Sequence, residues 1–301
     1  MGWLKQKAKI DALNLFHSVV KSDISNSGLA SQGYKLVGPF LPIADRRNEV
    51  YTRPDFTFYS NETVVFVNVE PDDQIGKEHR SRAEDYQKLN LEAVEEFIRK
   101  KGRTGDVNLS TRDLSRFEHY LVFQRDAIEK AKAGGPGASI YDDLKELCGM
   151  LSQKKGGQLV FQDGLSKDDE LYSLFSNGIP LPSTPSKEFL LTGEIKSESL
   201  AVSLSQEILP EKFNQNETVK MTPRRVPHYY DRKVDLDIVR KALEYLKYKG
   251  VCEEIGTHEY AFHRDNISNF YEVEEHLREV TVEEYIDDHG GEQYNMTDYT
   301  D

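Results

Sequence analysis

Apolar positions recur along this chain at spacings that separate helices from strands. Between residues 3 and 21, Trp3, Ile10, Leu13, Phe16 and Val20 stand at steps of three, four or seven, the stripe of one long helix laid on a core. Residues 33–43, with Tyr34, Leu36, Val37, Phe40 and Leu41, read as a strand. The β-rich runs from Val50 to Tyr59 and from Thr63 to Glu70 flank the polar Ser60, Asn61 and Glu62, which predicts a hairpin. From Lys77 to Lys101, the positions Ala83, Tyr86, Leu89, Ala93 and Phe97 keep helical spacing, and Gly102 is a stop signal. The run His119 to Phe123 is a short apolar strand. A strand after a long helical crossover pairs parallel, so this part predicts a small mixed α/β sheet flanked by helices.

The stretch Ala131 to Ser139 holds three glycines and a proline, and reads as a linker and domain boundary. Beyond it the pattern predicts a helix near 140–153, a strand at 158–161, a Pro/Ser-rich loop at 178–187 and a strand from Phe189 to Lys196. Val234 to Lys249 carries Leu236, Val239, Leu243 and Leu246 on one face and stops at Gly250. Val251 to Ile255 and Tyr260 to His263 then form a hairpin about the turn 256–259. A basic helix running through a glycine into a hairpin resembles the third helix and wing of a winged helix-turn-helix domain, which implies binding to DNA or to a protein. The divisions predicted are 1–133, a mixed α/β middle region 140–220, a winged helix 221–270 and an acidic tail 271–301.

Composition alters this picture little. The chain of 301 residues is 38% apolar and 30% charged, as for a globular protein with a real core. The net charge of −13 is concentrated: from Glu272 onward there are eleven acids and one base, Arg278. An acidic average therefore leaves room for a nucleic-acid partner, which responds to local patches. The acidic end reads as a solvated terminus, or as an arm that mimics or repels DNA or docks on a basic partner. No apolar run reaches membrane-spanning length and no secretory pattern opens the chain, so a soluble, intracellular (cytoplasmic) location with no membrane partner is expected. Cys148 and Cys252 are expected as reduced thiols.

Chemistry concentrates in the predicted hairpin. Pro54-Asp55 opens one strand, and its partner ends in Asn68-Val69-Glu70. Alternation puts Asn68 and Glu70 on one face, so that Asp55 and Glu70 can converge across neighbouring strands. Hard divalent cations such as Mg²⁺ seek carboxylate oxygens and activate water against phosphodiesters. Helix, hairpin, helix and strand together resemble the PD-(D/E)xK restriction-endonuclease-like superfamily. The resemblance makes Asp55 a metal ligand, puts Asn68 at the first acidic position of the second element and puts Glu70 where the lysine stands. An amide is a poorer ligand than a carboxylate, and glutamate cannot supply the cation. By precedent within the superfamily, Lys77 or Lys88 on the following helix could act instead, with Glu70 as second ligand or base. Asp11 and His17 lie on the first helix, where related nucleases often place a further ligand.

These readings imply a DNA-processing protein, with Mg²⁺- or Mn²⁺-dependent endonuclease-like hydrolysis of phosphodiesters. The rival is a catalytically inactive nuclease-fold adaptor that binds DNA, or a protein through the winged helix or acidic tail. Arg80 and Arg82 on the second helix are candidates for nucleic-acid contact. So are Arg224, Arg225, Tyr229, Arg232 and Lys233, where cations and aromatics interleave. Glu194 and Lys196 spell a second E-x-K and stand as a fallback site. Phosphate-loop, dinucleotide and nucleophile-elbow motifs are absent, and Cys252, His258 and His263 lack zinc spacing.

Overall fold

The computed structural model describes residues 2–21, 28–60, 62–104, 114–154, 157–183, 187–214, 216–230 and 233–289. The N-terminal stripe is helix α1 (Gly2–Lys21). The chain divides into two compact units, residues 11–188 and residues 1–10 with 189–301.

In the first unit, β1 (Lys35–Pro39) is shorter than the predicted strand, and β2 (Ile43–Asp45) follows it. The run Val50 to Tyr59 is two strands, β3 (Val50–Thr52) and β4 (Phe56–Tyr59). Pro54 interrupts it, having no N–H for a ladder; β3 pairs with β2 in a separate ribbon, and β4 pairs antiparallel with β5 (Thr63–Glu70). The long helix is also two, α2 (Lys77–Lys88) and α3 (Leu91–Thr104). The break is local: Leu89 is extended, and Asn90 Oδ1 accepts the Ala93 N–H at 2.8 Å as a new N-cap.

β6 (Arg116–Phe123) pairs parallel with β5, as the crossover rule requires. Then come α4 (Arg125–Lys132), α5 (Ala138–Lys145), β7 (Gly149–Lys154), β8 (Gln158–Gly164), α6 (Asp169–Asn177) and β9 (Ile179–Pro180). The sheet order is β1-β4-β5-β6-β7-β8-β9, with β5, β6 and β7 mutually parallel and the other pairings antiparallel. Two expectations are corrected here. Residues 131–139 lie within this unit, joining α4 to α5 in the crossover between parallel β6 and β7. The helix expected to reach 153 ends at Lys145, and 149–154 is a strand whose Met150 and Leu151 are fully buried in the sheet.

Every residue of β5 is buried, as befits a central strand covered on both faces. Val64 and Phe66 pack with Tyr86 of α2 and Val94 of α3. The Phe16 ring of α1 lies against Phe56 of β4, centroids 5.1 Å apart.

The second unit contains a nearly continuous helical segment: α7 (Ser197–Ser203), a π-helical turn (Leu204–Ile208) and α8 (Leu209–Phe213). After it come β10 (Thr218–Met221), a 3₁₀ turn (Val226–Tyr229), α9 (Leu236–Tyr248), β11 (Cys252–Gly256) and β12 (Glu259–His263). Helices α10 (Ile267–His276) and α11 (Val282–His289) close the described chain. The three strands form an antiparallel sheet of order β10-β12-β11. Residues 189–196 form no strand. The segment expected as an acidic tail carries the end of α10 and all of α11, joined by a turn at 277–281, with Val273, Leu277 and Val282 at most 1% exposed, so buried apolar side chains tie it down; residues 290–301 lie outside the described ones.

Both cysteines are free and buried, and burial pushes the Cys148 thiol up to about 12. Among the described residues no helix is long and apolar enough to cross a membrane.

Candidate active site

β5 ends at Glu70, at the C-terminal edge of the parallel strands, where open α/β sheets commonly hold ligands. Its even-numbered residues face α2, so Asn68 and Glu70 continue the row of Val64 and Phe66. The chain leaves the sheet through Pro71, Asp72 and Asp73 and re-enters as α2 at Lys77. On α2, His79, Arg82, Ala83 and Tyr86 stand at steps of three and four, one helix face returning over β5. The stripe identified from the sequence began at Ala83; carried back one turn, it reaches His79 and Arg82.

These two residues meet the strand end. The Arg82 guanidinium donates to Glu70 Oε1. His79 Nε2 lies 3.6 Å from Glu70 Oε2 and 3.5 Å from Asp72 Oδ2. One ligand-capable atom from each of Glu70, Asp72 and His79 falls within 4.8 Å of the others, a spacing compatible with a shared divalent ion at bond lengths of about 2.0–2.6 Å. Glu70 and His79 are buried, whereas the side chains of Asp72 and Arg82 are 22% and 39% exposed. Solvent therefore reaches this group through Asp72 and Arg82.

Asp55 occupies a different position from the one expected of a solvent-facing ligand. It is 6% exposed, and its Oδ2 accepts the backbone N–H of Val69 at 2.7 Å. This bond takes up an N–H of β5 and ties the start of β4 to the strand that ends in Glu70. Asn68 is likewise engaged: Nδ2 donates to the Arg53 carbonyl at 3.3 Å, and Oδ1 accepts from His119 Nε2 at 3.1 Å. The His119 ring lies flat on Tyr86, centroids 3.9 Å apart. Burial, followed by the Arg82 charge, holds the His119 imidazole well below its usual range, so it stays neutral. Burial also raises the Tyr86 phenol; the Asp55 charge adds to this, while Thr52 and Arg82 oppose it. The charges of Asp55 and Arg82 thus both bear on Tyr86, in opposite directions.

No family model, curated protein or solved structure matches this chain significantly. The site accordingly rests on its own geometry.

The other sequence candidates are dispersed. Lys77 is exposed at the first position of α2, and Lys88, at the last, pairs with Asp85 at 2.8 Å. Arg80 is held by Glu84 and Asp143, each at 2.7 Å. On α1, Asp11 is exposed and the buried His17 stacks on Phe56 at 6.2 Å. In the second unit Arg224, Arg225 and Lys233 are exposed, and Tyr229 packs on that unit's core beneath Lys212. Arg232 lies outside the described residues. Glu194 and Lys196 are both exposed on a segment without regular structure, and Lys196 caps α7. Neither Asp72 nor His79 is among the site residues expected from sequence, where His79 counts only with the basic residues that open the second helix, although Asp72 follows Glu70 by two residues and His79 lies one turn before Ala83.

Proposed function

We propose that this protein is a metal-dependent hydrolase of phosphodiesters, acting on DNA at the end of β5. The observation that carries the reading is the grouping of Glu70, Asp72 and His79 beside Arg82. We read the first unit as restriction-endonuclease-like; the order of the β4–β5 hairpin, the α2–α3 crossover and parallel β6 supports that reading. Glu70 and Asp72 supply the oxygen ligands; a bound Mg²⁺ or Mn²⁺ supplies Lewis-acid chemistry and a more acidic water. Arg82, rather than Lys77 or Lys88, supplies the cation missing at residue 70 and steadies charge growing on the phosphoryl oxygens. Asp72, the more exposed carboxylate, would accept the proton of the attacking water on the oxygen not given to the metal as the water oxygen bonds to phosphorus; the bond from phosphorus to the leaving oxygen breaks, and that oxygen takes its proton from the solvent that reaches the site beside Asp72 and Arg82. Asp55 positions the strand.

In the second unit we propose a winged helix. The series helix, strand, short helix, helix and hairpin, with sheet order β10-β12-β11, supports that reading. On α9, Arg240 pairs with Asp237, Lys241 with Glu283 of α11, and Lys247 with Glu244 and Glu254. Phosphate contacts are therefore assigned to the exposed Arg224, Arg225 and Lys233.

A non-catalytic adaptor is the second reading, favoured by one observation: Asp55 and Glu70 already hold Val69 and Arg82. Cleavage of supercoiled and single-stranded DNA with Mg²⁺, Mn²⁺ or chelator decides between them. The hydrolase reading expects metal-dependent cleavage that Glu70→Gln abolishes while DNA binding persists. Equal behaviour of wild type and variant in every condition leaves the adaptor.

A further inference from the structure

The Gly76 backbone N–H donates to His79 Nδ1 at 2.9 Å. A backbone amide can only donate, so Nδ1 presents its lone pair and the proton of the neutral ring resides on Nε2. Nε2 is the atom that faces Asp72 Oδ2 and Glu70 Oε2. The ring has no room to turn over easily: it is 0% exposed and meets Phe123 edge-on, centroids 5.1 Å apart.

We propose that His79 is a positioning residue that aims an N–H at Glu70 and Asp72, and that these two carboxylates take a hard, oxygen-seeking cation such as Mg²⁺ rather than Zn²⁺. Ligation by Nε2 requires that atom to be unprotonated. A neutral ring would then carry its proton on Nδ1, donor against donor with Gly76, and the start of α2 would lose a part-buried hydrogen bond. The Glu78 carboxylate, 3.9 Å from Nδ1, is too far to replace it without moving. Zinc sites built with imidazole depend on such a lone pair, whereas Mg²⁺ is satisfied by carboxylates and water.

This inference rests on the proposed site but not on its catalysis, and its test reads cation binding. Long-range ¹H–¹⁵N spectra of the full-length protein identify the His79 tautomer, alone and with saturating Mg²⁺. The expected result is an Nε2–H ring in both, with Mg²⁺ affinity reduced about tenfold or more by Glu70→Gln, by Asp72→Asn and by His79→Ala. His79→Gln, which carries an N–H donor on a side chain of similar reach, should restore most of the loss. An Nδ1–H ring, loss of the Nε2 proton on adding Mg²⁺, Zn²⁺ bound at Nε2 more tightly than Mg²⁺, or no Mg²⁺ binding at all overturns the proposal. Mg²⁺ binding as described without any DNA cleavage overturns the hydrolase and leaves His79 in its role.

Discussion

Asp55 and Val69 are joined across the β4–β5 hairpin by a carboxylate-to-backbone bond of 2.7 Å, and both are buried. A carboxylate that accepts a strand N–H sets the course of that strand, and here the strand ends in Glu70. Removing the acceptor leaves a buried N–H unsatisfied, at about 1–3 kcal/mol. Asp55→Ala should therefore lower stability by that order in urea unfolding and leave much of the Mg²⁺ affinity intact. If Asp55→Ala is as stable as wild type and loses all Mg²⁺ binding, Asp55 is a ligand and the assignment is reversed.

Arg82 separates charge from geometry. Arg82→Lys keeps a cation near Glu70 but loses the planar fork, and Arg82→Gln removes the charge. With cleavage established, Arg82→Gln should reduce turnover by about 10²-fold or more, as for loss of a transition-state donor, and Mg²⁺ should bind Glu70 at least as tightly. Unchanged turnover in single-turnover kinetics would remove Arg82 from the mechanism.

Gly137 supports the loop from outside. It has φ +86°, and a Cβ there would stand 2.4 Å from the Ile75 carbonyl oxygen, next to the Gly76 amide that orients His79. Gly137→Ala should destabilise the fold by about 1–3 kcal/mol and weaken Mg²⁺ binding through the Ile75–Gly76 backbone. Retained thermal stability and affinity in that variant would show the loop to be insensitive to this contact.

Asp168 gives the first unit an acid-sensitive anchor. Burial raises its carboxyl, but the Leu171 N–H, the Tyr34 and Thr63 hydroxyls and Arg116 outweigh this and hold it below its ordinary value. A depressed native value stabilises the fold above the unfolded value, about 3.9, and the contribution disappears as pH falls through the native one. Denaturation followed between pH 6 and pH 2 should show an acid limb that Asp168→Asn flattens. An unchanged limb would assign the sensitivity elsewhere.

In the second unit, Arg224→Ala combined with Arg225→Ala should weaken DNA binding and reduce the slope of log affinity against log salt by about two, close to 0.9 per lost phosphate contact. A slope equal to that of wild type would put the DNA surface elsewhere.

Local chemistry accounts for the elements read correctly. The two β-rich runs about a polar turn that make the β4–β5 hairpin, the helical stripe of Val239, Leu243 and Leu246 on α9 with Gly250 after it, and the β11–β12 hairpin depend on neighbours in the chain, as did parallel pairing of β5 with β6 through the crossover rule. What long-range packing decides was not legible. Residues 149–154 become a strand because β6 and β8 offer ladders on either side, and residues 271–289 pack because Val273, Leu277 and Val282 find a core. At the site, the sequence placed Glu70 at a strand end and Asp55 near it, since alternation is a property of the backbone. Only the tertiary structure turned Asp55 into a strand tie and brought Asp72, His79 and Arg82 to Glu70, because these contacts depend on α2 packing back over β5, where the rings of Phe66 and Tyr86, twenty residues apart, meet, and on the Gly76 amide that holds the His79 ring.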